Sequence, residues 1–276
     1  MRLVDNFFEQ LNDLPMLPKV VQDVIQLLNQ ENVDIRELAN LIGKDVMLSA
    51  RILRMSNSVH FGASRSITTI EDATKLIGLN QIKTLTIASG MRDAFKDIPG
   101  FNLNQFWLHS LVTASIARQI AHELKLATET AYLAALMHAI GQLPLHLVFP
   151  DASKNIDALC TGRDVLERKS VEHSLLGIDH CEVGAMLAKL WEFPDDITTV
   201  IRFYADPLNK QAGTLAAVTY LAAHMAFDLI AGKDAPYIAD TINPVILAKL
   251  GFGDADLLIQ RISAYRMFVY EAKGYL

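Results

Sequence analysis

Apolar residues along the chain recur at intervals of three and four, as in Val20, Val21, Val24, Ile25, Leu27 and Leu28, and strict alternation is rare. That period puts side chains on one face of a helix, so the pattern predicts an all-α protein. Pro15 and Pro18 precede the first helix. Asp34 and Glu37 have the spacing of a capping box, in which each side chain satisfies a free amide of the first turn, and Gly43 closes the helix they open. A third helix is predicted over 46–58. Residues 67–70 lead into a helix ending at Ile77-Gly78, and 80–95 reads as the next. A long helix over 103–126, a helix carrying His138, an irregular stretch over 143–150 and a run of helices to the C-terminus follow. Proline ends a helix and glycine permits a change of direction, so the domain division is placed at Pro99-Gly100. This gives an N-terminal helical bundle over 1–100 and a second helical domain over 101–276.

Composition narrows the partners. Hydrophobic residues make up 51% of the 276, enough to bury one large core or two medium ones. With 25 Lys and Arg against 31 Asp and Glu, the net charge of −6 offers no general attraction to phosphate backbones or anionic lipid. The two helices over 70–95 have the outline of a helix-turn-helix, but Lys75, Lys83 and Arg92 are too sparse for a basic recognition stripe. Two packed bundle helices are the preferred reading, and a nucleic-acid partner is not expected. Cys160 and Cys181 are too far apart for a Cys-x-x-Cys knuckle and read as reduced, half-buried fillers. The first residues lack the apolar core and cleavage site of a secretory signal, so a cytoplasmic location is expected. Residues 214–232 are the most membrane-like, but His224 and Asp228 interrupt them, as in a core helix with one polar edge; no membrane association is expected.

There are eight histidines. His60, His122, His146, His173 and His224 read as ordinary hydrogen-bonded, partly buried rings. His109, His138 and His180 carry more weight because of their flanks. Phe106-Trp107-Leu108-His109-Ser110 resembles the first metal-histidine helix of HD domains, and Leu136-Met137-His138-Ala139-Ile140-Gly141-Gln142 resembles the His-Asp element that follows it. His180, in Gly177-Ile178-Asp179-His180-Cys181-Glu182, resembles a third ligand position. Trp191-Glu192-Phe193-Pro194 and residues 201–207 resemble the segment that often carries paired histidines in relatives, where this chain has Tyr204-Ala205. Ala223 stands at the place of the final aspartate.

Leu14-Pro15-Met16-Leu17-Pro18-Lys19-Val20-Val21, Ala50-Arg51-Ile52-Leu53-Arg54-Met55-Ser56-Asn57-Ser58, Phe61-Gly62 and the stretch from Ile67 to Leu79 resemble hallmarks of the HDOD family, the HD-related output domains. The resemblance runs from about residue 7 to about residue 230, followed by a helical extension. It implies a bacterial signal-transduction module with an HD-like helical domain and degenerate metal positions at His109, His138, Ala139, His180, Tyr204, Ala205 and Ala223. Physical chemistry points the same way. Three imidazoles can hold a single transition metal such as zinc, but two-metal hydrolysis needs bridging oxygens that Ala139 and Ala223 lack. One step along a helix turns a side chain by about 100°, so His224 does not replace Ala223. Gln142 stands where many active relatives have lysine, which removes a cation that could neutralise phosphate. No cofactor is expected; the alternative is one transition metal held by His109, His138 and His180.

Arg51 and Arg54 sit three apart and share a helix face. They form either an interaction face for a partner or phosphate anion, or a solvated face with intrachain salt bridges. Phe61 is either an exposed anchor or core. The leading expectation is a non-catalytic signalling or regulatory protein whose HD-like fold serves as an interaction or ligand-sensing module for a protein partner or small ligand. The first alternative is a metal-dependent phosphohydrolase acting on a nucleotide or phosphodiester through His109, His138 and His180, with Asp179, Glu182 and Asp206 as the nearest carboxylates. The second is a DNA-binding regulator using residues 70–95. Nothing in the sequence specifies an oligomeric state.

Overall fold

A computed structural model describes residues 15–30, 33–57, 66–160 and 165–275. Leu14, Ser58, His60, Phe61 and Gly62 lie outside the described residues. Among the described residues the ordered elements are helices, in agreement with the all-α expectation. The described residues divide into two compact units, one within 15–97 with 189–194, the other within 98–188 with 195–275.

In the first unit, α1 (Lys19–Gln26) runs into a 3₁₀ turn (Leu27–Asn29), followed by α2 (Ile35–Gly43), α3 (Val46–Ser56), α4 (Ile70–Ile77) and α5 (Leu79–Ala94). The stripe that predicted α1 is its buried face: Val20, Val21, Val24 and Ile25. Asp34 caps α2 by accepting from the Arg36 amide at 2.8 Å, and Asp45 caps α3 through the Leu48 amide at 3.0 Å. Helix α3 stops at Ser56, short of the expected 58, and the Asn57 side chain lies where it stops. Its amide donates to the carbonyls of Leu53 and Ile67, each at 2.8 Å, and its oxygen accepts from the Ile67 N–H at 2.7 Å. Such side-chain bonding offers the backbone an alternative to another helical turn. Gly78, at φ 93°, makes the bend between α4 and α5.

Helix α5 is buried along most of its length, from Ile82 to Met91. Lys83, one of the sparse basic residues of the helix-turn-helix outline, is itself buried and donates to the Leu27 carbonyl at 2.7 Å, tying down the start of the 3₁₀ turn. Burial without a carboxylate partner lowers its pKa. Trp191 and Phe193 belong to this unit: the Trp191 ring lies 6.2 Å from Phe95 and 6.4 Å from Phe193.

The second unit contains α6 (Leu103–Glu123), α7 (Thr128–Met137), α8 (Gln142–Val148), α9 (Pro150–Leu159), α10 (Val165–Leu176), α11 (His180–Leu190), α12 (Asp195–Phe203), α13 (Gly213–Ile230), α14 (Ala235–Thr241), α15 (Pro244–Leu250) and α16 (Ala255–Tyr275). The expected irregular stretch over 143–150 is a helix, α8, and this corrects the sequence reading. Pro144 falls in its first turn, where amides have no intrahelical partner to lose, and Pro150 opens α9 at a position that favours proline. Helix α7 is the centre of the unit: Ala131 to Met137 are all buried, and α6, α12 and α13 pack around it. Residues Thr128–Val148 and Gly213–Ile230 are apolar and long enough to cross a membrane by composition, but 83% and 67% of their most apolar windows are buried within the protein, as in core helices. The C-terminal extension is pinned to the end of α6, where Glu123 accepts from Arg261 at 2.7 Å and from the Tyr265 hydroxyl at 3.3 Å.

Candidate functional site

His109 on α6, His138 just past α7, His180 at the start of α11 and Tyr204 just past α12 converge in the second unit. The His109 and His138 rings are 5.3 Å apart, His138 and Tyr204 4.9 Å, and His180 and Tyr204 5.8 Å. His138, His180 and Tyr204 are buried and His109 is half-buried. Each histidine is oriented by an acceptor on one ring nitrogen. His109 donates from Nε2 to the Ala223 carbonyl at 3.2 Å, and His138 from Nδ1 to the Ala135 carbonyl at 2.6 Å. His180 Nδ1 donates to Glu172 Oε2 at 2.5 Å, and its Nε2 meets the Tyr204 hydroxyl at 2.5 Å.

These partners set the charge states. Burial lowers the His109 imidazole to about 4. Burial, reinforced by repulsion from His109, drives His138 well below its usual value, so both rings are neutral. Burial alone would also lower His180, but Cys181 and Glu172 outweigh it and raise it well above its usual value. The His180 ring therefore carries both protons, and Nε2–H donates to the Tyr204 oxygen. Burial, together with the neighbouring Cys181 and Glu172, raises Tyr204 well above the ordinary phenol value, so it remains neutral.

His180 is also one link in a longer chain that the sequence reading did not anticipate. Glu172 Oε1 accepts from Arg168 Nε at 2.7 Å, Arg168 Nη1 donates to Asp157 Oδ1 at 2.8 Å, and Asp157 Oδ2 lies 2.9 Å from His146 Nε2. His146 Nδ1 donates to the Gln142 carbonyl at 2.8 Å. Burial would raise the Glu172 carboxyl, but His180 and Arg168 hold it below its usual range. The only cue in the sequence is the i, i+4 spacing of Arg168 and Glu172, a spacing common on exposed helix faces. His146 is the hydrogen-bonded ring expected of it.

The remaining expected positions are occupied as follows. Ala139, Ala205 and Ala223 bury their methyl groups. Asp179 caps α11, accepting from the amides of Cys181 at 2.8 Å and Glu182 at 3.0 Å, and Glu182 accepts back from the Asp179 amide at 3.3 Å. That is a capping box, so these carboxylates serve the helix end. Asp206 accepts from Asn209 at 3.1 Å within its turn. Arg51 donates to Asp93 at 2.8 Å and to the Ser89 carbonyl at 3.3 Å, which is the intrachain alternative for that residue, whereas Arg54 is exposed.

The fit of a metal can be judged from these contacts. Among the described residues, the group of three His, Cys, Asp or Glu whose ligand atoms lie within 4.8 Å of one another is His173, Asp179 and Glu182, with the two carboxylates engaged in the capping box; His109, His138 and His180 do not meet that distance. His180 Nε2 is bonded to Tyr204, and the three alanines have no donor to offer. The residues present do not fit a catalytic metal pair.

A pH dependence follows. Between the ordinary histidine value of 6.5 and about 4, the unfolded chain binds protons that folded His109 refuses. Stability is therefore full above pH 6.5 and falls as the pH drops through this window. His138 adds in the same direction, whereas the raised His180 contributes no slope there. The His109 share is roughly 2 kcal/mol after discounting for solvent at its half-buried ring. Urea unfolding across the window should show this loss, and His109→Gln should flatten it; equal slopes in the two proteins would refute the assignment.

The helical architecture and histidine constellation define an HD-like fold. The chain belongs to the HDOD family: the HDOD domain model matches residues 14–207. It is similar over 98% of its length to 98% of a Shewanella amazonensis structure named "Putative phosphohydrolase", at 27% identity and a TM-score of 0.80. It is similar over 99% of its length to 93% of an HDOD domain protein of unknown function from Geobacter sulfurreducens, at 26% identity and a TM-score of 0.71. A Treponema pallidum protein of uncharacterized function is 22% identical over 205 residues, 74% of this chain, and the match spans 40% of that protein's length.

Proposed function

We propose that this chain is a non-hydrolytic regulatory module of bacterial signal transduction, an HD-like fold that works as an interaction or ligand-sensing surface. The observation that carries the reading is the His180 Nε2–Tyr204 hydroxyl bond of 2.5 Å, which commits a nitrogen that hydrolysis would assign to a cation. The buried methyls of Ala139, Ala205 and Ala223 support it, since none can bridge two metals. Membership of the HDOD family fits a regulatory role. The exposed Arg54 is the part of the predicted arginine face open to a partner.

Genetic rescue tests this. In a host strain lacking the gene, chains carrying His109→Gln or His138→Gln should restore the lost response as fully as the parent, because their imidazoles carry out no reaction. Loss of rescue by variants that remain folded, as judged by circular dichroism, would contradict the proposal. Reversing Arg54 with Arg54→Glu should weaken rescue without lowering thermal stability, as expected for a surface contact.

A further inference from the structure

Helix α3 is buried on one side only. Leu48, Ile52 and Ser56, spaced four apart, are buried in the first unit, whereas Val46, Met47, Ala50 and Arg54 are exposed. Val46 is 77% exposed and Met47 73%, the two most exposed large apolar side chains among the described residues. Met47, Ala50 and Arg54 stand at i, i+3 and i+7, and Val46 is four residues before Ala50, so the four share one open face about 12 Å long. The charge on this face has one sign, because α3 contains no carboxylate. Arg54 ends the face, and Lys44, also exposed, precedes it. Arg51 is held by Asp93 at 2.8 Å. The neighbouring acid, Asp45, is turned to the helix end, where it accepts from the Leu48 amide at 3.0 Å.

We propose that this face of α3 docks an amphipathic helix of another protein, one whose apolar side is flanked by carboxylates. A helical partner follows from what α3 can offer. Its main-chain groups are used within the helix, so it cannot extend a sheet, and side chains alone make the contact. Ala50, between Met47 and Arg54, lets a second helix come close, and the unbranched Met47 adapts its shape to the apolar side chains it meets. Carboxylates on the partner follow from Lys44 and Arg54 at the two ends of the face, and from the positive end of the α3 dipole beside Val46. A second copy of this chain does not meet these demands: parallel pairing of two such faces sets arginine against arginine, and antiparallel pairing turns Arg54 toward the end that carries Lys44. An anionic bilayer would have to attract a chain of net charge −6. The proposal names the partner class of the regulatory reading and rests on it.

The test is fluorescence anisotropy of the purified full chain with two synthetic three-heptad helices. Both carry leucine at heptad positions a and d; one has glutamate at e and g, the other lysine. The glutamate helix should bind saturably and at least tenfold more tightly than the lysine helix. Met47→Ser should weaken that binding at least tenfold, and Arg54→Glu should remove the preference or reverse it. Should Arg54→Glu not fold, as judged by circular dichroism, Arg54→Gln carries the same measurement and should narrow the preference. Equal binding of the two helices, binding of neither, or a preference unchanged in a folded Arg54 variant would overturn the proposal. So would dimers in sedimentation that Met47→Ser abolishes, which would assign the face to a second copy. Flotation with phosphatidylglycerol vesicles that depends on Met47 and Arg54 would overturn it in favour of a membrane. All of these are read on purified protein, so their failure strikes the docking face and leaves the regulatory reading to genetic rescue by His109→Gln and His138→Gln.

Discussion

Gly141→Ala should be the most damaging single-methyl change in the second unit. A Cβ at this position would lie 2.0 Å from the His180 carbonyl oxygen and 2.5 Å from the Gly184 amide nitrogen, both backbone atoms that cannot swing aside. The turn after His138 and the first turn of α11 approach so closely because neither Gly141 nor Gly184 carries a side chain there. Forcing them apart breaks the packing that brings His138 and His180 toward Tyr204, at an expected cost of about 4 kcal/mol or more. Gly184→Ala should cost less, because its nearest contact, at 2.9 Å, is a methyl group of Ile201. Gly43→Ala, with nothing within 4 Å, should leave stability unchanged or raise it by up to about 1 kcal/mol. Chemical unfolding of the three variants gives the order directly; a Gly141→Ala protein as stable as the parent would show that the two segments do not meet as described.

Glu172→Ala is expected to have the next largest effect. Glu172 is buried and holds two cationic groups, Arg168 and His180, through 2.7 Å and 2.5 Å contacts. Its removal leaves both without their shared counter-charge in a site that water does not reach, and breaking a buried pair in this way costs about 3–5 kcal/mol. Glu172→Gln keeps the shape and one acceptor but loses the charge, so it should fall between the parent and Glu172→Ala. The loss should be largest near neutral pH. A folded carboxyl held below its usual value contributes stability that is present above the unfolded value and is lost as the pH falls through the folded one. A Glu172→Ala protein within about 1 kcal/mol of the parent would mean that the chain from His146 to Tyr204 contributes little to stability.

The all-helical class was legible because three-four periodicity is a local property that packing preserved, as the buried stripe of α1 shows. Helix α8 escaped because two prolines and a short span suggested a loop, when their position relative to the helix starts made them acceptable. For the site, local flanks sufficed to single out His109, His138 and His180, and the rings of His109 and His138 do meet. The place of Tyr204 could be read only as a missing histidine. That its hydroxyl binds His180 depends on how α11 and α12 pack, which no local pattern encodes. Glu172 and Asp157 were invisible for the same reason: a carboxylate on an amphipathic helix looks solvated until its neighbours are known, and here the buried Glu172 carboxylate, the Arg168 guanidinium and the His180 imidazolium compensate one another across two helices, with Asp157 reaching Arg168 from a third.

The most direct test of the account is turnover by the purified parent protein, with manganese, iron, nickel or zinc supplied in turn, on a phosphomonoester, a nucleotide and a cyclic dinucleotide. Release of product should not exceed that of the protein-free control in any combination. Hydrolysis that requires an added metal and disappears in folded His138→Gln would contradict the account and assign the histidines to catalysis.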